Sequence, residues 1–124
     1  MTFTFDTGML IALERRKLRA VQAFQAIVRR GILPVVPAVV YAEWWRGRSD
    51  IREEILAAVL VEDMPPPLCR AAGEALGAVR GATLTDAVVM ASAALRGGGV
   101  VYTGDVADLE RLSAHFPTVR VLPA

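Results

Sequence analysis

The stretch Leu84–Leu112, LTDAVVMASAALRGGGVVYTGDVADLERL, decides the fold. Thr85-Asp86 opens a run of small and aliphatic residues that reads as a helix to about Arg96, with Asp86 in its first turn. Gly97-Gly98-Gly99 turns the chain into a strand, Val100 to Thr103. The strand ends at Thr103-Gly104-Asp105, and Val106, Leu109, Leu112 and Phe116 fall at the spacing of a last helix before a fifth strand, Val119 to Leu122. Strands separated by helices imply parallel pairing, because a parallel strand needs a crossover that a helix usually supplies.

Toward the N-terminus the same alternation holds. Thr2-Phe3-Thr4-Phe5 reads as strand one, ending at Asp6, and Asp6-Thr7-Gly8 leads into the apolar run Met9–Leu13, with Thr7 as the expected cap. A helix is expected over Arg19–Arg30, with Val21, Phe24, Ile27 and Val28 on one face and Gly31 as its stop. Strand two covers Leu33–Val36. Pro37 opens a helix carrying Val39, Val40, Glu43 and Trp44 that ends near Gly47, and Ser49-Asp50 caps another from Ile51. Residues Val59–Met64 suit a short edge strand. Pro65-Pro66-Pro67 is a helix entrance, followed by Leu68, Ala71, Ala72, Ala75, Leu76 and Val79 at helical spacing. The class is α/β with a five-stranded parallel sheet.

Residues 1–124 have room for one domain, since single cores usually take about 100 to 200 residues. A hydrophobic content of 54% would bury a substantial core and excludes a disordered chain. No uncharged run reaches the roughly 20 apolar residues of a membrane span, and no secretory signal is visible, so a cytoplasmic location without membrane contact is expected. The single cysteine, Cys69, excludes an internal disulfide and a cysteine-based zinc cluster, and reads as a small core residue. His115 is also alone, which leaves histidine-dependent chemistry little to work with. A net charge of +1 does not mark a general nucleic-acid binder. Arginine nevertheless outnumbers lysine heavily, which suits either bidentate phosphate contact or an arginine-favouring codon bias.

Four acids stand out. Asp6 and Asp105 directly follow strands and therefore share the carboxyl edge of the sheet, where open parallel sheets gather functional groups. They face one another if strands one and four are neighbours. Asp86 lies in the helix that feeds strand four, and Glu43 on the helix after strand two, among Val39, Val40 and Trp44. Taken singly, Asp86 reads as a favourable charge at a helix N-terminus, Asp105 as a cap and Glu43 as a solvated residue. Together, in apolar surroundings, they imply a counterion, because uncompensated buried carboxylates are costly. Mg2+ or Mn2+ suits such oxygen ligands, and an ion with open positions suits phosphodiester hydrolysis.

The segments FTFDTGMLIAL, PAVVYAEWWRG and Leu84–Leu112 resemble PIN domains, and among them the VapC toxin ribonucleases of type II toxin–antitoxin pairs, over essentially the whole chain. The resemblance implies a three-layer α/β/α fold with strand order 3-2-1-4-5, which places strands one and four side by side. It implies an endoribonuclease that cleaves RNA with Mg2+ or Mn2+ through a quartet of Asp6, Glu43, Asp86 and Asp105. Asp6 and Asp86 would be direct ligands, and Glu43 and Asp105 would complete the pocket. Thr103 matches the hydroxyl residue near the scissile phosphate. A homodimer and a cognate antitoxin covering the active-site groove are further implications.

Several positions carry two readings. Asp108, three residues after Asp105, shares its helical face and either joins the outer metal shell or favours the helix N-terminal turn. Trp44 and Trp45 lie about 100° apart, so Trp44 belongs to the core while Trp45 is either partly buried or a partner contact. The cluster Arg15, Arg16, Lys17 and Arg19 is either a phosphate contact or a solvated loop. A PIN-like binding module without activity, or a housekeeping PIN nuclease without an antitoxin, are the alternatives in function. A phospho-receiver also gathers acids at strand ends, but its switch relies on a lysine at a late strand end, and the only lysine is Lys17.

Overall fold

The computed structural model describes residues 1–124. Five strands, β1 (Phe3–Phe5), β2 (Val35–Pro37), β3 (Leu60–Glu62), β4 (Gly99–Thr103) and β5 (Val119–Pro123), form one sheet in the order 3-2-1-4-5. Every pairing is parallel, with Thr4 opposite Val35 and Phe5 opposite Tyr102. The expected order is therefore the observed one, and β1 and β4 are neighbours.

Seven helices make the crossovers. They are α1 (Thr7–Glu14), α2 (Leu18–Arg29), α3 (Ala38–Trp44), α4 (Asp50–Leu56), α5 (Pro66–Ala78), α6 (Leu84–Leu95) and α7 (Val106–Glu110). The chain moves from β1 to β3 in one direction and from β3 to β5 in the other. Right-handed crossovers then place α1–α4 on one face and α5–α7 on the opposite face, giving three layers. The packing agrees, since α1 touches α2, α3 and α4 while α6 touches α5 and α7.

All three residues of the central strand β1 are buried, Thr4 included, because helices cover both faces. The alternation of Thr2–Phe5 thus reports strand geometry and not exposure. At the edge, β3 leaves Leu60 and Val61 exposed, and Glu62 ties it to α6. The Glu62 carboxylate accepts from Ser92 Oγ at 2.6 Å and from Arg96 Nε at 2.8 Å.

Local expectations differ from the structure in four places. The last helix ends at Glu110, and Leu112 and Phe116 enter the core from a series of tight turns. Cys69 is exposed, not a core residue: the buried stripe of α5 is Leu68, Ala72 and Ala75, and Cys69 lies about 100° around the helix from Leu68. Val28 is also exposed, the inward residues of α2 being Ala20 and Ile27. Finally, β2 begins at Val35 and not at Leu33 and takes in Pro37, which opens α3 as expected, and α3 already ends at Trp44, short of Gly47. No helix is long and apolar enough to cross a membrane.

Candidate active site

Asp6 follows β1 and caps α1, a role the sequence reading assigned to Thr7. Its Oδ1 accepts from Met9 N at 2.8 Å and from Gly104 N at 3.3 Å, and its Oδ2 accepts from the Thr103 hydroxyl. The residue is only 7% exposed. Burial lifts its carboxyl above the ordinary aspartate value, against the opposing pull of those three donors, and the neighbouring Asp86 charge adds to the rise.

Thr103 is buried directly beneath Asp6. Its hydroxyl donates to Asp6 and accepts from Asp105 N at 2.9 Å, so it joins β1, β4 and the start of α7. It does not line the open cavity. The same turn holds Gly104 against Gly8: a Cβ built on Gly8 would lie 2.6 Å from Gly104 Cα. Only two glycines allow α1 and the β4–α7 turn to approach so closely.

Asp86 occupies the first turn of α6, which is capped by Thr83: the Thr83 hydroxyl oxygen accepts from Asp86 N at 3.2 Å. The Asp86 carboxyl is also raised, first by partial burial and then by the charges of Asp108, Glu43 and Asp105, while a hydrogen bond with Thr83 lowers it. Asp105 caps α7, accepting from Asp108 N at 3.2 Å, and Asp108 stands in that helix's first turn, 3.7 Å from Arg111.

Glu43 is exposed, although its helix neighbours Val40 and Trp44 are core residues. The expectation of four acids sunk in apolar surroundings therefore holds for Asp6 and in part for Asp86, but not for Glu43 or Asp105. What holds Glu43 is a pair of hydroxyls. Thr7 Oγ1 donates to its Oε1 at 2.5 Å, and Thr85 Oγ1 to its Oε2 at 3.0 Å. Thr85 was not singled out from the sequence. Its adjacency to Asp86 at a helix start was the available signal, and only the tertiary structure shows that it reaches α3.

Asp6, Glu43, Asp86, Asp105 and Asp108 thus line one cavity of about 420 Å³, drawn from α3, α6 and the turns after β1 and β4, with no basic side chain in its wall. The donors are all oxygen. No three of the carboxylates form a group that could hold a metal ion by direct coordination alone, so a hard cation here would have to keep part of its water shell. His115 is exposed and Cys69 lies elsewhere, so neither contributes. Trp44 is buried with its indole N–H donating to Glu14 at 2.9 Å, and Trp45 is half-buried with its ring edge-on to Tyr41.

No family model matches the chain, and no curated protein matches it. Solved structures do. A chain of VapBC2 from Rickettsia felis, solved bound to a DNA fragment from the promoter, aligns with a TM-score of 0.77 at 10% identity, over 100% of this chain and 99% of that one. VapBC-1 from nontypeable Haemophilus influenzae aligns at 0.72 with 17% identity, over 99% and 98%. A toxin–antitoxin complex from Klebsiella pneumoniae gives 0.69 at 19% identity, over 95% of each chain. At these identities the likeness is one of fold. The protein has an α/β fold whose five-stranded parallel sheet, in the order 3-2-1-4-5, matches that of PIN-domain VapC structures.

Proposed function

We propose that the protein is a divalent-cation-dependent endoribonuclease of the VapC toxin type, held in check by a cognate antitoxin. The observation that carries this reading is the single cavity in which five carboxylates from the starts of α1, α6 and α7 and from α3 meet without a basic side chain. The structural neighbours, solved as VapBC and toxin–antitoxin complexes, support the antitoxin as partner. A homodimer and a cytoplasmic location belong to the same reading.

Asp6 and Asp86 would hold Mg2+ or Mn2+ directly, because burial makes their charges the ones most in need of compensation. Glu43, Asp105 and Asp108 would hold it through water. Once bound, such an ion lowers the pKa of a water and offsets charge on a phosphodiester. The chain itself supplies orientation. Thr103 fixes one Asp6 oxygen while two backbone N–H groups fix the other, and Thr7 with Thr85 fixes both oxygens of Glu43. An RNA segment is the substrate, a class that brings the anionic phosphate the cation would neutralise.

The test is cleavage of a panel of transfer and ribosomal RNAs with magnesium or manganese and with chelator. Wild-type protein should cut with metal only. Asp6→Asn should lose more than the roughly 10- to 100-fold typical of changes outside the ligand sphere. Full activity in Asp6→Asn, or no metal-dependent cutting by the wild type, removes the nuclease reading.

A further inference from the structure

Next to the acidic cavity lies a second one of about 520 Å³ that shares Thr7 and Glu43 as a common wall. Its wall is mixed in charge: Arg15, Arg46 and Arg52 line it together with Glu14, Trp44 and the shared Glu43. The charges there are unevenly committed. Glu14 sits in the last turn of α1, where a negative charge is disfavoured by the helix dipole, and is doubly engaged. Its Oε1 accepts from Trp44 Nε1 at 2.9 Å and its Oε2 from Arg52 at 2.7 Å. Glu43 is likewise occupied by Thr7 and Thr85. Arg15 and Arg46 make no ion pair at all, and Arg52 keeps a buried Nε donor without a partner. Arg16, at φ 55°, holds the rare left-handed backbone at the end of α1, and this turn separates Arg15, which lines this cavity, from Arg16, which lines a different one.

We infer that this arginine-lined cavity is a phosphate subsite that seats the RNA backbone beside the scissile bond, with Arg15 and Arg46 as its contacts. The inference rests on the ribonuclease reading for the identity of the strand. Five carboxylates repel a phosphodiester, so a substrate crossing the shared wall needs fixed positive charge that does not depend on the metal. Guanidinium groups supply it in the planar, bidentate form that phosphate accepts. The cavity is within the roughly 300–1,000 Å³ of ordinary ligand sites.

Binding can be read apart from cleavage, using a fluorescent single-stranded oligoribonucleotide in EDTA and a series of salt concentrations. Wild type should bind, and the Arg15→Gln/Arg46→Gln double variant should bind at least tenfold more weakly. The slope of log affinity against log salt should fall by about 1.4, two contacts at about 0.7 each for a single strand. With metal, the same variant should raise KM with kcat little changed, the mark of lost uniform binding. Arg29→Gln, on α2 and lining neither cavity, should change nothing. An unchanged slope and KM in the double variant, no binding by wild type in EDTA, or equal competition by a polyglutamate peptide would each overturn the subsite. Cleavage with unchanged KM would do so while leaving the nuclease reading intact. Arginine-dependent binding by a protein that cuts nothing would do the reverse.

Discussion

Asp6 and Asp86 are the residues in which folding and function pull against each other. Both carboxyls are raised from 3.8 chiefly by desolvation. Between that ordinary value and the raised one, the folded chain binds more protons than the unfolded chain, so stability falls as pH rises through the window. Above it the penalty is fully present. In chelator, these two groups should make the protein melt higher at mildly acidic pH than at neutral pH. Asp86→Asn removes one of the penalties and should raise Tm at pH 7.5, followed by scanning fluorimetry. A lower Tm would mean that the carboxylate favours the folded state. Thr103 acts through Asp6: Thr103→Val should lower cleavage by roughly 10- to 100-fold, and Thr103→Ser should restore it.

Among the elements, the decisive contact is between the start of α1 and the turn after β4. Gly8 and Gly104 meet backbone to backbone, and this closeness lets Gly104 N reach Asp6. Gly8→Ala would place its Cβ 2.6 Å from Gly104 Cα, with no flexible side chain to yield. Overpacking of this kind costs about 1–3 kcal/mol, and urea denaturation should show it together with lost cleavage. A Gly8→Ala protein of unchanged stability would mean that the two elements have slack. Three helices, α1, α6 and α7, begin at this edge, and each carries a candidate acid at its cap or first turn: Asp6, Asp86 and Asp105. Positive helix ends offset part of the cost of placing charged acids there, without cancelling the desolvation of Asp6 and Asp86.

Across the whole molecule, a net charge of +1 conceals a division. The charged residues of one cavity are all acids, while the adjoining one sets three arginines beside Glu14 and the shared Glu43. A cation bound to the acidic side stabilises the folded chain alone, by about 2.7 kcal/mol at a concentration 100 times its dissociation constant. That corresponds to about 10 °C in Tm for a domain of this size. Magnesium at millimolar concentration should therefore raise Tm in the wild type and leave Asp6→Asn nearly unmoved. An unmoved wild type would argue for a binding module without metal chemistry.

The sequence by itself determined the alternation of strands and helices, the parallel sheet, and which acids stand at strand ends, because each is set by local periodicity and turn chemistry around residues such as Asp6 and Gly97–Gly99. A resemblance in three segments supplied the strand order, and the structure shows the same order. Local pattern was a poor guide to exposure at Cys69, Val28 and Glu43, which depends on what packs against an element and not on the element's own period. The helical spacing of Leu112 and Phe116 suggested a longer last helix than α7, which ends at Glu110. Only the tertiary structure decided that Asp6 and not Thr7 caps α1, that Thr7 and Thr85 grip Glu43, and that Glu14 is neutralised by Trp44 and Arg52. The contacts of Glu43 and Glu14 join residues some 30 to 42 positions apart. Their existence depends on how helices dock across the sheet edge, and no local spacing encodes that docking.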